Sequence, residues 1–154
     1  AEILVSYHPA GLPNDPPGKA SNVAWAFKTL QSHLQKSSPS DSSRDPTVLT
    51  VCDGDSEFDA RYFDLLSSGY RAAGEAQKWC IWQSPILHLK NYHRQPMVVA
   101  MGSVLTTMME LASLGDPQAV RLPYSTYSLS LDLAEYVGGW DPEWIAEDWH
   151  MGLK

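Results

Sequence analysis

A short apolar run that ends in two carboxylates constrains the fold of this chain more than any other feature. Residues 48–52 (VLTVC) are rich in β-branched side chains, which predicts a strand, and the strand stops at the turn-forming sequence Asp53-Gly54-Asp55. Ligands of open α/β sheets bind where strands end. Side chains two apart in an extended segment point the same way, so both carboxylates can approach one Mg²⁺ or Mn²⁺ ion. A plain surface turn is the alternative.

Apolar periodicity elsewhere predicts helices that alternate with short strands. Further strands are predicted at 2–7 and 79–82, and helices at 19–36, 58–73, 98–114, 128–136 and from 142–145 to the C-terminus. The polar stretch 37–46 (SSPSDSSRDP) predicts a flexible loop. This alternation predicts an α/β fold with a mostly parallel sheet, in a single domain over residues 1–154.

Composition limits the classes of partner. With 18 acidic and 11 basic residues the formal net charge is -7, which gives no electrostatic basis for binding nucleic acid. The longest apolar stretch, 97–114, contains Glu110 and several hydroxyl groups, so it predicts a buried or interfacial helix and not a membrane span. Cys52 and Cys80, both in apolar surroundings, are predicted to be free, buried thiols.

A second chemistry-bearing segment lies at residues 137–154 (VGGWDPEWIAEDWHMGLK). It contains a Gly-Gly turn, three tryptophans and the adjacent acids Glu147 and Asp148. Desolvation by Trp144, Ile145 and Trp149 would allow Asp148 to act as a general base. The flat apolar faces of indole rings also suit packing against a sugar ring. The alternative is an amphipathic helix whose acids face water.

Four segments, in this order, resemble the inverting family 2 glycosyltransferases of the GT-A fold, in particular the membrane-integrated cellulose-synthase-like and chitin-synthase-like branch. They are GKASNVAWAF (18–27), TVCDGDSEFD (50–59), WQSPILHLKN (82–91) and VGGWDPEWIAEDWHMGLK. The resemblance implies a Rossmann-like nucleotide-diphospho-sugar transferase fold with a mixed, mostly parallel sheet. The first strands of the family and its Gln-x-x-Arg-Trp motif have no counterpart here, so the chain is predicted to be a central piece of the catalytic domain.

The resemblance implies a metal site and a general base. Asp53 and Asp55 would hold Mg²⁺ or Mn²⁺ together with the nucleotide diphosphate, and Asp148 would be the base, supported by Glu147. The family reaction is an in-line displacement at the anomeric carbon, in which the base takes the proton of the acceptor hydroxyl. The metal stabilises the departing diphosphate.

The resemblance and the flat apolar faces of the indole rings also imply substrate contacts. Lys19 would lie close to the nucleotide, Gln83 near the acceptor channel and Trp149 against a sugar. The implied donor is a nucleotide-diphosphate sugar, and the implied acceptor is a saccharide or a lipid-linked molecule. The implied location is the cytoplasmic face of a membrane, as part of a larger membrane protein.

Two other functions stay open on the sequence alone. The chain could be a non-catalytic module of the same fold that binds a sugar or a partner. It could also be a metal-dependent nucleotidyltransferase, since those enzymes use paired acids at an α/β strand end as well. The Gly-Gly-Trp and Glu-Asp features of residues 137–154 favour the glycosyltransferase, because nucleotide transfer does not require them.

Overall fold

The computed structural model describes residues 3–37, 46–116, 118–119 and 121–154, and it combines helices with a small sheet. The elements follow the order α1 (Lys19–Ser37), β1 (Val48–Val51), α2 (Tyr62–Ala72), β2 (Ile81–Gln83), α3 (Met97–Gly115), β3 (Tyr127–Ser130), α4 (Leu131–Tyr136) and α5 (Glu147–Leu153). Short 3₁₀ helices at Gly74–Trp79 and Tyr92–Arg94 precede β2 and α3. The loop predicted at 37–46 lies outside the described residues at 38–45.

The sheet has the strand order β1-β3-β2, and both of its pairings are antiparallel. Val48 pairs with Ser130 on one side of β3, and Ile81 pairs with Leu129 on the other. The helix-and-strand content is that of an α/β protein, but the prediction of a mostly parallel sheet is wrong for the described strands. The reason is that β3 returns between β1 and β2 in the opposite direction. As a consequence, β1 and β2 run parallel to each other without being neighbours.

Several predicted elements differ from the structure: α2, β2 and α5 begin two or more residues later than predicted, and two further differences are larger. Residues 3–9 have no regular secondary structure, and Ile3, Val5 and Tyr7 are exposed, so the strand predicted at 2–7 is wrong there. The helix predicted at 128–136 begins later, because its first residues form β3. The hydroxyl of Ser130 accepts a hydrogen bond from the backbone N–H of Leu133 and so caps α4. The helices at α1 and α3 and the strand at β1 are confirmed within two residues.

The hydrophobic core lies where α1, α4, α5 and the sheet meet. Tyr127 and Leu129 of β3 are fully buried, and Phe27 of α1 packs edge-to-face on Trp140 with ring centroids 5.2 Å apart. Burial of a Leu or Phe side chain stabilises a fold by about 1.5–3 kcal/mol. Met151 belongs to the same core, so it anchors α5 and fixes the position of the two acids at the start of that helix.

The turn between α4 and α5 requires glycine at position 139 for two reasons. Gly138 and Gly139 both have a positive φ, of 80° and 76°. A Cβ at Gly139 would lie 2.7 Å from the ring of Phe27, whereas a Cβ at Gly138 would meet no atom within 4 Å. We expect Gly139→Ala to destabilise the chain by about 2–5 kcal/mol and Gly138→Ala by about 1–2 kcal/mol, measured by urea unfolding. Equal losses in the free energy of unfolding for the two variants would show that Phe27 moves aside without cost.

Candidate functional site

The two chemistry-bearing segments meet at Lys19, the first residue of α1. Its ammonium nitrogen lies 2.8 Å from Asp53 Oδ1 and 3.1 Å from Glu147 Oε1. It also donates a hydrogen bond of 2.9 Å to the backbone oxygen of Ser125. Asp53 follows β1, Ser125 precedes β3 and Glu147 begins α5, so one cation joins three elements that are far apart in the sequence. We call Lys19, Asp53, Ser125, Glu147 and Asp148 the Lys19 cluster.

Ser125 contacts three other members of the Lys19 cluster. Its hydroxyl donates to Asp53 Oδ2 at 2.5 Å, its backbone N–H donates to Asp148 Oδ2 at 2.8 Å, and its carbonyl oxygen accepts from Lys19. Its φ of 49° is in the left-handed region, which costs a residue other than glycine about 1–2 kcal/mol. The sequence alone does not single out this residue, because no pattern of residue types marks a serine for that conformation.

Ion pairing favours the charged forms of Asp53 and Lys19 in the Lys19 cluster. The hydrogen bonds from Lys19 and from Ser125 lower the pKa of Asp53 and outweigh the opposite effect of its partial burial. Burial alone would lower the pKa of Lys19, but its contacts with Asp53 and Glu147 raise it above the usual value. Glu147 is only 5% exposed, and its contact with Lys19 is an ion pair without good hydrogen-bond geometry. A carboxylate buried to this degree needs such a cation beside it.

Two backbone amides fix the carboxylate of Asp148. Oδ2 accepts from Ser125 as described above, and Oδ1 accepts from the backbone N–H of Trp149 at 2.8 Å. The side chain is half-buried. Because an ionised carboxylate has about four lone-pair sites, two such bonds orient it and leave room to accept a proton from a bound ligand.

The hydrophobic residues that were expected to shield Asp148 do not do so. Trp144, Ile145 and Trp149 are 52%, 96% and 55% exposed, so that expectation is wrong. Trp144 instead stacks on His150 with ring centroids 4.4 Å apart. A sugar contact at Trp149 stays a prediction, and its exposed indole is accessible for one.

Asp55 lies apart from the Lys19 cluster. Its carboxylate is 73% exposed and lies 3.3 Å from the ammonium of Lys90, whereas Asp53 pairs with Lys19. The two acids separate because the chain turns between them: the backbone N–H of Ser56 donates to the carbonyl oxygen of Asp53. An exposed ion pair of this kind contributes about 1 kcal/mol or less, so Asp55 can exchange Lys90 for another cation at little cost.

Asp53 and Asp55 are the carboxylates that the predicted metal ion would use. In the part of the chain that the structure describes, no three His, Cys, Asp or Glu side chains are grouped as a metal site. Mg²⁺ does not need such a cage, since it is commonly held by one or two carboxylates together with substrate phosphates. Asp53 and Asp55 supply two carboxylates of this kind at the end of β1.

An open cleft of about 510 Å³ lies beside the Lys19 cluster. Its walls are the first turns of α1 and the segment after β1, and they include Lys19, Asn22, Asp53 and Gly54. This is the size of a small-molecule or cofactor pocket. Cys52 also lines the cleft and is exposed, so the prediction of a buried thiol is wrong there, although Cys52 and Cys80 are both free as predicted.

Gln83 holds the loop that carries Ser125. Its Oε1 accepts from the backbone N–H of Tyr124 at 3.0 Å, and its Nε2 donates to the carbonyl oxygens of Thr126 at 2.8 Å and Ser84 at 2.9 Å. The side-chain amide therefore clamps the residues on both sides of Ser125. Contact between Gln83 and an acceptor stays a prediction.

Comparison of this chain with protein-family models, with curated proteins and with solved structures found no match.

Proposed function

We propose that this chain is the catalytic region of a metal-dependent, inverting glycosyltransferase that moves a sugar from a nucleotide-diphosphate donor to a hydroxyl acceptor. One observation carries the proposal: the acid that ends β1 and the two acids that begin α5 converge on Lys19 and Ser125. A transferase of this kind needs a diphosphate site and a base for the acceptor next to each other, because the reaction is a single in-line displacement.

The proposed fold is of the GT-A type, with the three described strands forming part of a mixed sheet. Two features support this. β1 and β2 run parallel to each other, with β3 antiparallel between them. The cleft opens where β1 ends, which is the usual place for a ligand in α/β proteins.

A nucleotide diphosphate would need a metal ion beside it here, because the net charge is -7 and the nearby lysines are paired with acids. Two ammonium groups, those of Lys19 and Lys90, lie beside Asp53 and Asp55. In the proposed complex Lys19 would face the diphosphate, and the two carboxylates would hold Mg²⁺ or Mn²⁺. The metal, when bound, would offset the negative charge that develops on the leaving diphosphate.

Asp148 is the proposed base for the acceptor. It would take the proton of the acceptor hydroxyl as the oxygen attacks the anomeric carbon. Its hydrogen bonds to the backbone of Ser125 and Trp149 hold the carboxylate in one orientation, so no reorientation is needed at the moment of transfer. Glu147 would support it by holding Lys19 in place.

Metal-dependent nucleotide binding tests this proposal. We expect Mn²⁺ to tighten the binding of nucleoside diphosphates, tested one base at a time by calorimetry, by about tenfold or more. Asp55→Ala should abolish that gain and leave the free energy of unfolding nearly unchanged, because its side chain is 73% exposed.

Asp59→Ala is the matched control for this experiment. Asp59 is 68% exposed and likewise pairs with one surface cation, Arg61. We expect this variant to keep the full effect of Mn²⁺. Equal nucleotide affinity with and without metal in the unsubstituted chain would refute the metal site.

A further inference from the structure

Helix α3 presents an apolar face to solvent. None of its 19 residues is fully buried. Along one side, exposed apolar residues follow one another at alternating spacings of three and four, as in the contact seam of paired helices; this α3 seam consists of Val98, Met101, Leu105, Met108 and Ala112. Leu105, near the middle of the helix, is 61% exposed. A seam with this spacing suits a second helix, because each side chain can then pack between the residues of the facing helix.

The opposite side of α3 contacts the rest of the chain through polar groups. Thr107 Oγ1 accepts from the backbone N–H of His88 at 3.3 Å, and Glu110 Oε1 lies 3.4 Å from His88 Nε2. The hydroxyl of Ser103 donates to Gln95 Oε1 at 3.5 Å. By length and hydropathy alone, α3 could cross a membrane. Its contacts with the chain fix which side faces inward, so the α3 seam is the side that a partner can reach.

The two ends of α3 carry side chains of opposite charge. Arg94 lies three residues before the helix begins, Asp116 follows its last residue, and both are exposed. Arg121 donates to the carbonyl oxygens of Leu114 at 3.2 Å and Asp116 at 2.6 Å, so its guanidinium caps the end of the helix. Two copies packed antiparallel would bring Arg94 of each beside the partner's Asp116, whereas a parallel pair would bring like charges together. Antiparallel packing also places opposite ends of the two helix dipoles next to each other.

We propose that two copies of this chain associate through the α3 seam as an antiparallel helix pair with two-fold symmetry. The axis would pass between Leu105 and Met108, near the centre of the helix, so that Leu105 packs against the partner's Met108. The composition of the α3 seam favours a second copy over a transient partner. Homodimer interfaces are the more apolar class, and the α3 seam contains no aromatic or charged side chain. The inference does not depend on the proposed reaction.

Sedimentation velocity of the 154-residue chain, over about 1–200 µM, tests the apolar part of the inference. We expect a dimer whose fraction rises with concentration. Leu105→Glu should raise the dissociation constant by roughly a hundredfold or more, because it places a carboxylate from each copy in the middle of an apolar contact. Ile145→Glu is the matched control: it replaces another aliphatic residue, 96% exposed and outside α3, with the same acid, and it should dimerise like the unsubstituted chain. Circular dichroism should show that both variants are folded.

Charge reversal at the two ends of α3 tests the antiparallel direction. Arg94→Glu and Asp116→Arg should each raise the dissociation constant by roughly tenfold, because each variant brings like charges together twice in the dimer. The double variant should recover most of the affinity, since the facing ends are again opposite in charge. The proposal is overturned if the unsubstituted chain stays monomeric or forms only larger aggregates, or if Leu105→Glu dimerises as well as Ile145→Glu. A dimer that Leu105→Glu disrupts but whose affinity the double variant does not recover would overturn the antiparallel arrangement.

Discussion

Asp148→Asn is expected to lower the turnover of sugar transfer by about 10²–10⁴-fold, the usual contribution of a general base. The amide has nearly the same shape, and its oxygen can still accept one of the two backbone hydrogen bonds, but it cannot take a proton from the acceptor. Nucleotide affinity should be unchanged, because the proposed metal ligands Asp53 and Asp55 lie on another segment. Turnover with a nucleotide sugar and Mn²⁺, together with calorimetry, separates the two effects.

Glu147→Gln is the matched control, since it makes the same chemical change one residue earlier. Glu147 is buried and contacts Lys19, so it supports the site without facing an acceptor. We expect it to reduce turnover much less than Asp148→Asn. If Glu147→Gln lowers turnover more than Asp148→Asn does, the two roles are exchanged. If neither variant lowers turnover, position 148 does not hold a general base.

Lys19→Met is expected to destabilise the folded chain by about 2–4 kcal/mol near neutral pH. Methionine retains most of the apolar stem but removes the ammonium between Asp53 and Glu147, so the buried carboxylate of Glu147 loses the cation beside it. The expected loss is below that of a fully buried pair because the Lys19 side chain is 31% exposed. Lys78→Met is the control: its pair with Asp132 is 3.7 Å long and exposed, so urea unfolding should show a loss of about 1 kcal/mol or less.

The effect of pH on this difference has a defined sign. The pKa of Asp53 is lowered in the folded chain, so its stabilising contribution is present above the ordinary carboxyl pKa and is lost as the pH falls through the lowered value. The pKa of Lys19 is raised, so its contribution is present below the ordinary lysine pKa and is lost as the pH rises through the raised value. The stability difference between the unsubstituted chain and Lys19→Met should be greatest between about pH 5 and pH 9. A difference that persists unchanged below the lowered pKa of Asp53 would assign the effect to packing of the stem.

Elements with a strong local pattern could be predicted from the sequence. The helices α1 and α3 and the strand β1 follow from apolar periodicity and from the breakers that flank them. Pairing direction could not be predicted, because it depends on contacts between distant residues. Tyr127–Ser130 forms the central strand although two of its residues are serines, whose buried hydroxyls are bonded to Thr50 at 2.8 Å and to the carbonyl oxygen of Lys78 at 2.9 Å. The run at 2–7 has as good a local pattern, but its described residues pair with no strand.

The candidate site could be predicted in part, because some of its residues stand in local sequence motifs. Asp53, Glu147 and Asp148 stand in motifs, and the structure brings them to the Lys19 cluster. The separation of Asp55 could not be foreseen, because the alternation of side chains holds only while the chain is extended, and a turn begins at Asp53. Ser125 acts partly through its backbone, which residue type does not encode.

Incubation of the 154-residue chain with a panel of nucleotide sugars and Mn²⁺, followed by chromatography of the released nucleotide, tests the proposed transfer most directly. We predict release of a nucleoside diphosphate from one of these donors, with no release when the metal is chelated and a large loss in Asp148→Asn. Release of a nucleoside monophosphate would instead place the broken bond within the diphosphate, as in a nucleotidyltransferase. Tight diphosphate binding without release from any donor would indicate a binding module, and either result would contradict the proposed glycosyl transfer.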